Sequence, residues 1–191
     1  EYVVASDDDN RIYIYGTDST SFAFVFTDYD RIAVGDVVGD SKEEIIIAKD
    51  DDNAIYIYDR AGSLLGTITS SDRTYYTRYD RLAVGDMCDD AKGEIVIAMD
   101  DDGYIRAYNA TGHERGSVDL GFTRYDQLAV GDVLGDAKEE IVIARDDDHK
   151  VIVADTAWAT RIRQDMQALS CRADLVMFNG HGNVDNWNCF S

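Results

Sequence analysis

Carboxylates recur in this chain at four-residue steps. Asp36, Asp40 and Glu44 lie in the run GDVVGDSKEE, Asp86, Asp90 and Glu94 in GDMCDDAKGE, and Asp132, Asp136 and Glu140 in GDVLGDAKEE. A hard divalent cation such as calcium takes about six to eight oxygens, which a short loop can supply from alternate side chains and a carbonyl. These residues therefore point to calcium binding in an EF-hand-like loop, with Asp first, Asp fifth and Glu ninth. Lys42, Lys92 and Lys138 stand seventh, where a backbone carbonyl can serve and the side chain can point outward.

A second acidic constellation is the aspartate triplet, which begins at Asp7, Asp50, Asp100 and Asp146. Asp followed by Asn or Gly suits a tight hairpin, because these residues tolerate a positive φ. If the repeats form the blades of a propeller, the connections between them reach the same face as these hairpins, carrying Asp28-Tyr29-Asp30, Arg78-Tyr79-Asp80 and Arg124-Tyr125-Asp126. One reading is turn-forming aspartate with arginine salt bridges between repeats. The other is a second face for a cation or ligand.

The elements that must position these residues are themselves repeated. The stretch that begins YDRIAVGD at Tyr29 returns at Tyr79 and at Tyr125. The triplets are 43, 50 and 46 residues apart. A period of about 47 is the length of a four-stranded propeller blade. Within one repeat, residues 31–37 read as a short inner strand a, and 44–49 (EIIIAK) as a strand b buried on both faces. Residues 54–58 (AIYIY) alternate, with Ile55 and Ile57 on one face and Tyr56 and Tyr58 on the other, as strand c. Residues 63–69 form a more polar outer strand d. The N-terminus enters in mid-blade, with 1–6 as b, 11–15 as c and 22–27 as d.

The fold class is therefore all-β, a four-bladed β-propeller of about 47-residue repeats. Carrying the register past Asp155 lays 173–183 (ADLVMFNGHGN) over strand a and its loop. The first blade is then closed by the C-terminal strand, which removes exposed strand edges. The expected division is one domain over 1–191, with blade 1 from 173–191 plus 1–28. Blade 2 is 29–78, blade 3 is 79–124 and blade 4 is 125–172. The alternative is a fragment of a larger propeller.

Charge narrows the partners. The net charge is -20, with 38 acidic and 18 basic residues. That surface repels nucleic acid and anionic membranes. No apolar run approaches the ~20 residues of a transmembrane helix, so membrane insertion is not expected. Cys88 reads as a small buried or half-buried thiol, and Cys171 and Cys189 could pair. A disulfide would imply an oxidising compartment.

The run GDVVGDSKEEIIIA resembles the FG-GAP/VCBS repeats of integrin-like β-propellers, usually close to GDxNGDGxxDIVVG. The resemblance covers three repeats and implies a propeller with calcium in each a–b loop. It also exposes a departure. Val38, Cys88 and Leu134 hold the third position, where the family has an oxygen ligand, and Ser41, Ala91 and Ala137 replace the usual glycine at the sixth. A second resemblance lies in DLVMFNGHGN, which is similar to the His-Gly motif of clan CD cysteine peptidases. It implies His181 as a catalytic histidine, yet Cys189 follows after eight residues with no strand between.

The functional expectation is a calcium-binding, extracellular or cell-surface propeller that acts as a binding or adhesion module and is not an enzyme. Its partners would be a protein or glycan ligand, or other copies of itself. Two alternatives stand beside it: a self-assembling filament or surface-layer protein, and an accessory domain of a clan CD-like peptidase.

Overall fold

A computed structural model describes residues 2–69, 76–88 and 90–154. These residues form strands and turns, with no helix among them. Strands β1 (Tyr2–Ser6), β2 (Arg11–Tyr15) and β3 (Thr20–Ala23) make the first antiparallel sheet. The second holds β4 (Arg31–Gly35), β5 (Glu44–Lys49), β6 (Ala54–Tyr58) and β7 (Leu64–Thr69) in that order. The third holds β8 (Arg81–Gly85), β9 (Glu94–Ala98), β10 (Tyr104–Tyr108) and β11 (Glu114–Asp119). The fourth holds β12 (Gln127–Gly131), β13 (Glu140–Ala144) and β14 (Val151–Ala154). Each sheet is one sequence repeat, as the period requires. The closing strand expected within 173–191 lies outside the described residues.

The apolar pattern explains why the sheets stack as blades. In β5, Ile46 pairs with Ile57 of β6 and Ala48 with Ile55, and this face packs on Ile95, Ile97 and Met99 of the third sheet. The alternate residues Ile45 and Ile47 pair with Tyr58 and Tyr56 and pack on Ile12 and Ile14 of the first sheet. Ile45, Ile46, Ile47 and Ala48 are all buried, so β5 is covered on both faces. A fully buried isoleucine contributes about 1.5–3 kcal/mol relative to an exposed one. A second seam joins Val96 and Ala98 of β9 to Ile141 and Ile143 of β13. The core is thus a set of inter-blade seams rather than one central cluster.

Three local expectations shift. Strand a ends at Gly35 rather than Val37, because the Val37 N–H donates to the Glu44 carboxylate at 3.0 Å instead of to a neighbouring strand. The outer strand of the first blade is Thr20–Ala23 rather than 22–27. Its pairing stops where Ala23 meets Arg11, and Phe24 and Phe26 beyond it pack against the seam with blade 2. Cys88 is half-buried as expected, but it is disulfide-bonded rather than a thiol. Cys171 and Cys189 lie outside the described residues.

The hairpin turns behave as their residues suggest. The residue after each triplet takes a left-handed conformation: Asn10, Asn53, Gly103 and His149 have φ of 56°, 49°, 77° and 58°. Blades are also stitched through the backbone on the other face. The Gly93 N–H donates to the Asp36 carbonyl at 2.6 Å, and the Glu139 N–H donates to that of Asp86 at 3.0 Å.

Candidate functional site

Each a–b loop is built around its first aspartate. In the first loop, Asp36 Oδ1 accepts the N–H groups of Gly39 and Asp40 at 2.5 and 3.2 Å, and Oδ2 accepts that of Ser41 at 2.7 Å. Asp86 accepts from Asp90 and Ala91, and Asp132 from Gly135, Asp136 and Ala137. The carboxylate thus winds the loop around itself. Ser41, Ala91 and Ala137, at the sixth position, take φ of 64°, 60° and 74°. That conformation is one that glycine adopts without the steric cost these side chains carry.

The ninth residue opens the second strand and turns inward. Glu44 Oε2 accepts the N–H groups of Val37 and Val38 at 3.0 and 3.1 Å. Glu140 does the same with Val133 and Leu134, and Glu94 accepts from Met87. The third position, which lacks a side-chain oxygen, therefore serves the first and third loops through its backbone by orienting the glutamate. Burial pushes the Glu44 carboxyl up, against the two N–H bonds, with the Asp36 and Asp40 charges adding to the rise. Burial pushes Glu94 up to about 7.

The loops differ in what neutralises them. In the first, one oxygen each from Asp36, Asp40 and Glu44 lies within 4.8 Å of the others, an arrangement able to hold a cation. It is the only such group among the described residues. Lys42 Nζ reaches Asp40 at 3.0 Å, but both side chains are exposed; such pairs are worth about 0–1 kcal/mol. In the second loop, Arg115 sits on the fifth and ninth carboxylates, with Nη2 3.2 Å from Asp90 and Nε 3.7 Å from Glu94. Sequence reading missed Arg115, although aligning GHERG with GSLLG places it opposite Leu65.

A cavity of about 760 Å³ adjoins the first loop, between blades 1 and 2. Asp40 and Glu44 line it together with Tyr2, Val34, Val38 and Leu65. It joins exposed apolar surface to the carboxylate cluster.

The opposite face carries the triplets. Asp30, Asp80 and Asp126 are buried, and each clamps two backbone N–H groups: those of Thr27 and Asp50, Thr77 and Asp100, and Thr123 and Asp146. Asp50 in turn accepts the Arg78 N–H at 2.7 Å, and Asp100 that of Arg124 at 2.5 Å. The expected arginine salt bridges between blades are instead bonds to carbonyls. Arg31 donates to the Arg78 carbonyl at 3.0 Å and Arg81 to that of Arg124 at 2.8 Å. The buried aspartates already serve the backbone.

Above this clamp runs a ladder. The Arg78 guanidinium lies 5.2 Å from the Tyr29 ring centre and 4.7 Å from that of Tyr79. Arg124 lies 5.3 Å from Tyr79 and 4.9 Å from Tyr125. Tyr29 and Tyr125 are 48% and 60% exposed, so the ends of the stack are open to a partner. His113 and His149 are exposed, and His181 and Cys189 lie outside the described residues.

No family model matches the chain, and no curated protein matches it by sequence. Among solved structures it is similar to BBS1N, a β-propeller, in complex with ARL6DN. In the crystal soaked with lead the TM-score is 0.55 at 18% identity, over 80% of this chain and 45% of that one. In the crystal soaked with mercury it is 0.50 at 18% identity, over 74% and 46%. The chain thus spans just under half the length of these neighbours. A protein of unknown function from Bacteroides caccae aligns at a TM-score of 0.40 and 12% identity, over 78% of this chain and 57% of that one. The likeness to BBS1N shows the β-propeller fold.

Proposed function

We propose that this chain is a non-catalytic propeller that binds a protein partner and takes calcium in its first a–b loop. The observation that carries the calcium reading is the convergence of Asp36, Asp40 and Glu44 within 4.8 Å. All three carboxylates are already oriented by backbone N–H groups, so little reorganisation opposes binding. Asp86, Asp90, Glu94, Asp132, Asp136 and Glu140 keep the ligand types of the other loops but do not form such a group. Val38 leaves the third position to water. Loops with fewer protein ligands bind in the range of about 10⁻⁴–10⁻³ M, which suits extracellular calcium. The Cys88 disulfide favours the same compartment.

The partner reading rests on the ladder of Tyr29, Arg78, Tyr79, Arg124 and Tyr125. Tyrosine and arginine are the residue types that dominate binding energy at protein interfaces. The neighbour BBS1N was crystallised with the protein ARL6DN, which supports a protein rather than a glycan as the partner class.

Thermal melting of the full chain with calcium and with chelator tests the metal. Calcium at ten times its Kd stabilises by about 1.4 kcal/mol, and Asp36→Asn removes that increment. Identical melting curves across millimolar calcium would sink the reading.

A second reading is strand exchange between copies. The observation that favours it is β1, where Tyr2 and Val4 are 63% and 43% exposed and which, among the described residues, ends the first sheet's strand order. Strand addition at such an edge is a common route to assembly. Sedimentation showing only monomers would exclude it.

A further inference from the structure

β7 and β11, the outer strands of blades 2 and 3, each carry a bulge at the same place. In β11, Ala107 pairs with Gly116 and Tyr108 with Glu114, leaving Arg115 as the extra residue. In β7, Ile57 pairs with Gly66 and Tyr58 with Leu64, leaving Leu65. A bulge bends its strand and re-aims the extra side chain. Arg115 reaches Asp90 and Glu94 of the a–b loop in its own blade, and Leu65 lines the same cavity as Asp40 and Glu44 of its own. The two loops match at ligand positions one, five and nine and differ in what the bulge presents to them.

We propose that Arg115 is the built-in cation of the second loop, and that the bulge residue decides which a–b loop takes a metal ion. Arg115 places one permanent positive charge on the fifth and ninth carboxylates. Its side chain is 11% exposed, so the charge is held there rather than roaming in solvent. A divalent ion entering the second loop would meet this guanidinium at close range and in a partly desolvated setting, where like charges repel strongly. Leu65 brings no charge, so the first loop keeps its carboxylates for an ion. The same three ligand positions thus meet an arginine in one blade, whereas in the other their carboxylates converge with no buried cation beside them. This inference rests on the calcium reading of the first loop and extends it to the second.

The test exchanges the bulge residues in the full chain, with calcium alone as the probe and isothermal titration as the readout. Arg115→Leu is expected to add one calcium ion per chain, and Asp86→Asn in that background to remove it. Leu65→Arg is expected to remove one ion, the same ion lost in Asp36→Asn. If the unaltered chain loses an ion on Asp36→Asn but Arg115→Leu adds none and Leu65→Arg removes none, the bulge rule is overturned while the calcium reading stands. If the unaltered chain binds nothing but Arg115→Leu binds one ion, Arg115 stands as the cation of the second loop, while the first-loop reading and the bulge rule built on it fail. Should Arg115→Leu not fold, Leu65→Arg decides the matter alone, since Leu65 is exposed: retained binding overturns the rule.

Discussion

Asp126 is fully buried and accepts the backbone N–H of Asp146, twenty residues on, at 2.8 Å. Its other oxygen accepts the N–H of Thr123 at 2.8 Å. One side chain therefore ties the entry of an inner strand to the hairpin at the far end of the next. Asp126→Ala removes the acceptor of both donors at a partly buried site. Each unsatisfied buried group costs about 1–3 kcal/mol, so the expected loss is about 3 kcal/mol. Urea unfolding measures it, and a loss below about 1 kcal/mol would show that the clamp is dispensable.

Ala91 and Ala137 are exposed and sit at φ of 60° and 74°. A left-handed conformation costs an L-residue roughly 1–2 kcal/mol, and glycine avoids the cost while losing some backbone entropy. Neither methyl group is buried, so glycine sacrifices no packing. Ala137→Gly and Ala91→Gly are each expected to stabilise by about 0.5–1 kcal/mol. Denaturation midpoints that fall instead would place the loop's strain elsewhere.

The sequence made the blades legible because strand b is buried on both faces. EIIIAK and EIVIA can be continuous apolar runs only if neighbours cover both sides, and the seams through Ile45 and Ile46 show that they do. The nine loop carboxylates were legible because they repeat. Their inequality was not. It depends on Arg115 and Leu65, which belong to the variable outer strand and reach the loop only through a bulge. The Tyr–Arg corners were visible as residues, but the stack between blades is a product of packing that one repeat cannot reveal. Val37 misled because its side chain fits a strand while its N–H is drawn off by Glu44.

Two buried carboxyls set the pH response. Burial raises Glu94 from 4.5 to about 7 and Asp80 from 3.8 to about 6. In both, the folded state holds the proton more tightly than the unfolded chain. Their contribution is therefore fully present below the unfolded pKa values and is lost as pH rises through about 6 and then about 7. The net charge of -20 adds self-repulsion in the same direction. The melting temperature is expected to fall between pH 5 and pH 8 in chelator. Glu94→Gln keeps an acceptor for the Met87 N–H and should flatten the upper part of that fall. An unchanged profile in this variant would remove Glu94 from the account.

The ladder predicts an order among its tyrosines. The Tyr79 ring is flanked by Arg78 at 4.7 Å and Arg124 at 5.3 Å, whereas among the described residues Tyr125 meets only Arg124, at 4.9 Å. A cation–π contact at an exposed site is worth about 0.5–1 kcal/mol. Tyr79→Leu removes two such contacts and the hydroxyl that accepts from Arg78 at 2.6 Å, so it should cost about 1–2 kcal/mol. Tyr125→Leu removes one such contact and the hydroxyl that accepts from Arg124 at 2.9 Å, so it should cost less, by about the 0.5–1 kcal/mol of one cation–π contact. Leucine keeps apolar bulk, so the difference reports the ring faces rather than lost volume. If the partner docks on the ladder, Tyr125→Leu should nonetheless weaken binding more than Tyr79→Leu, because Tyr125 is the exposed end. Equal unfolding costs for the two variants would mean that the rings lie near the guanidinium groups without holding them.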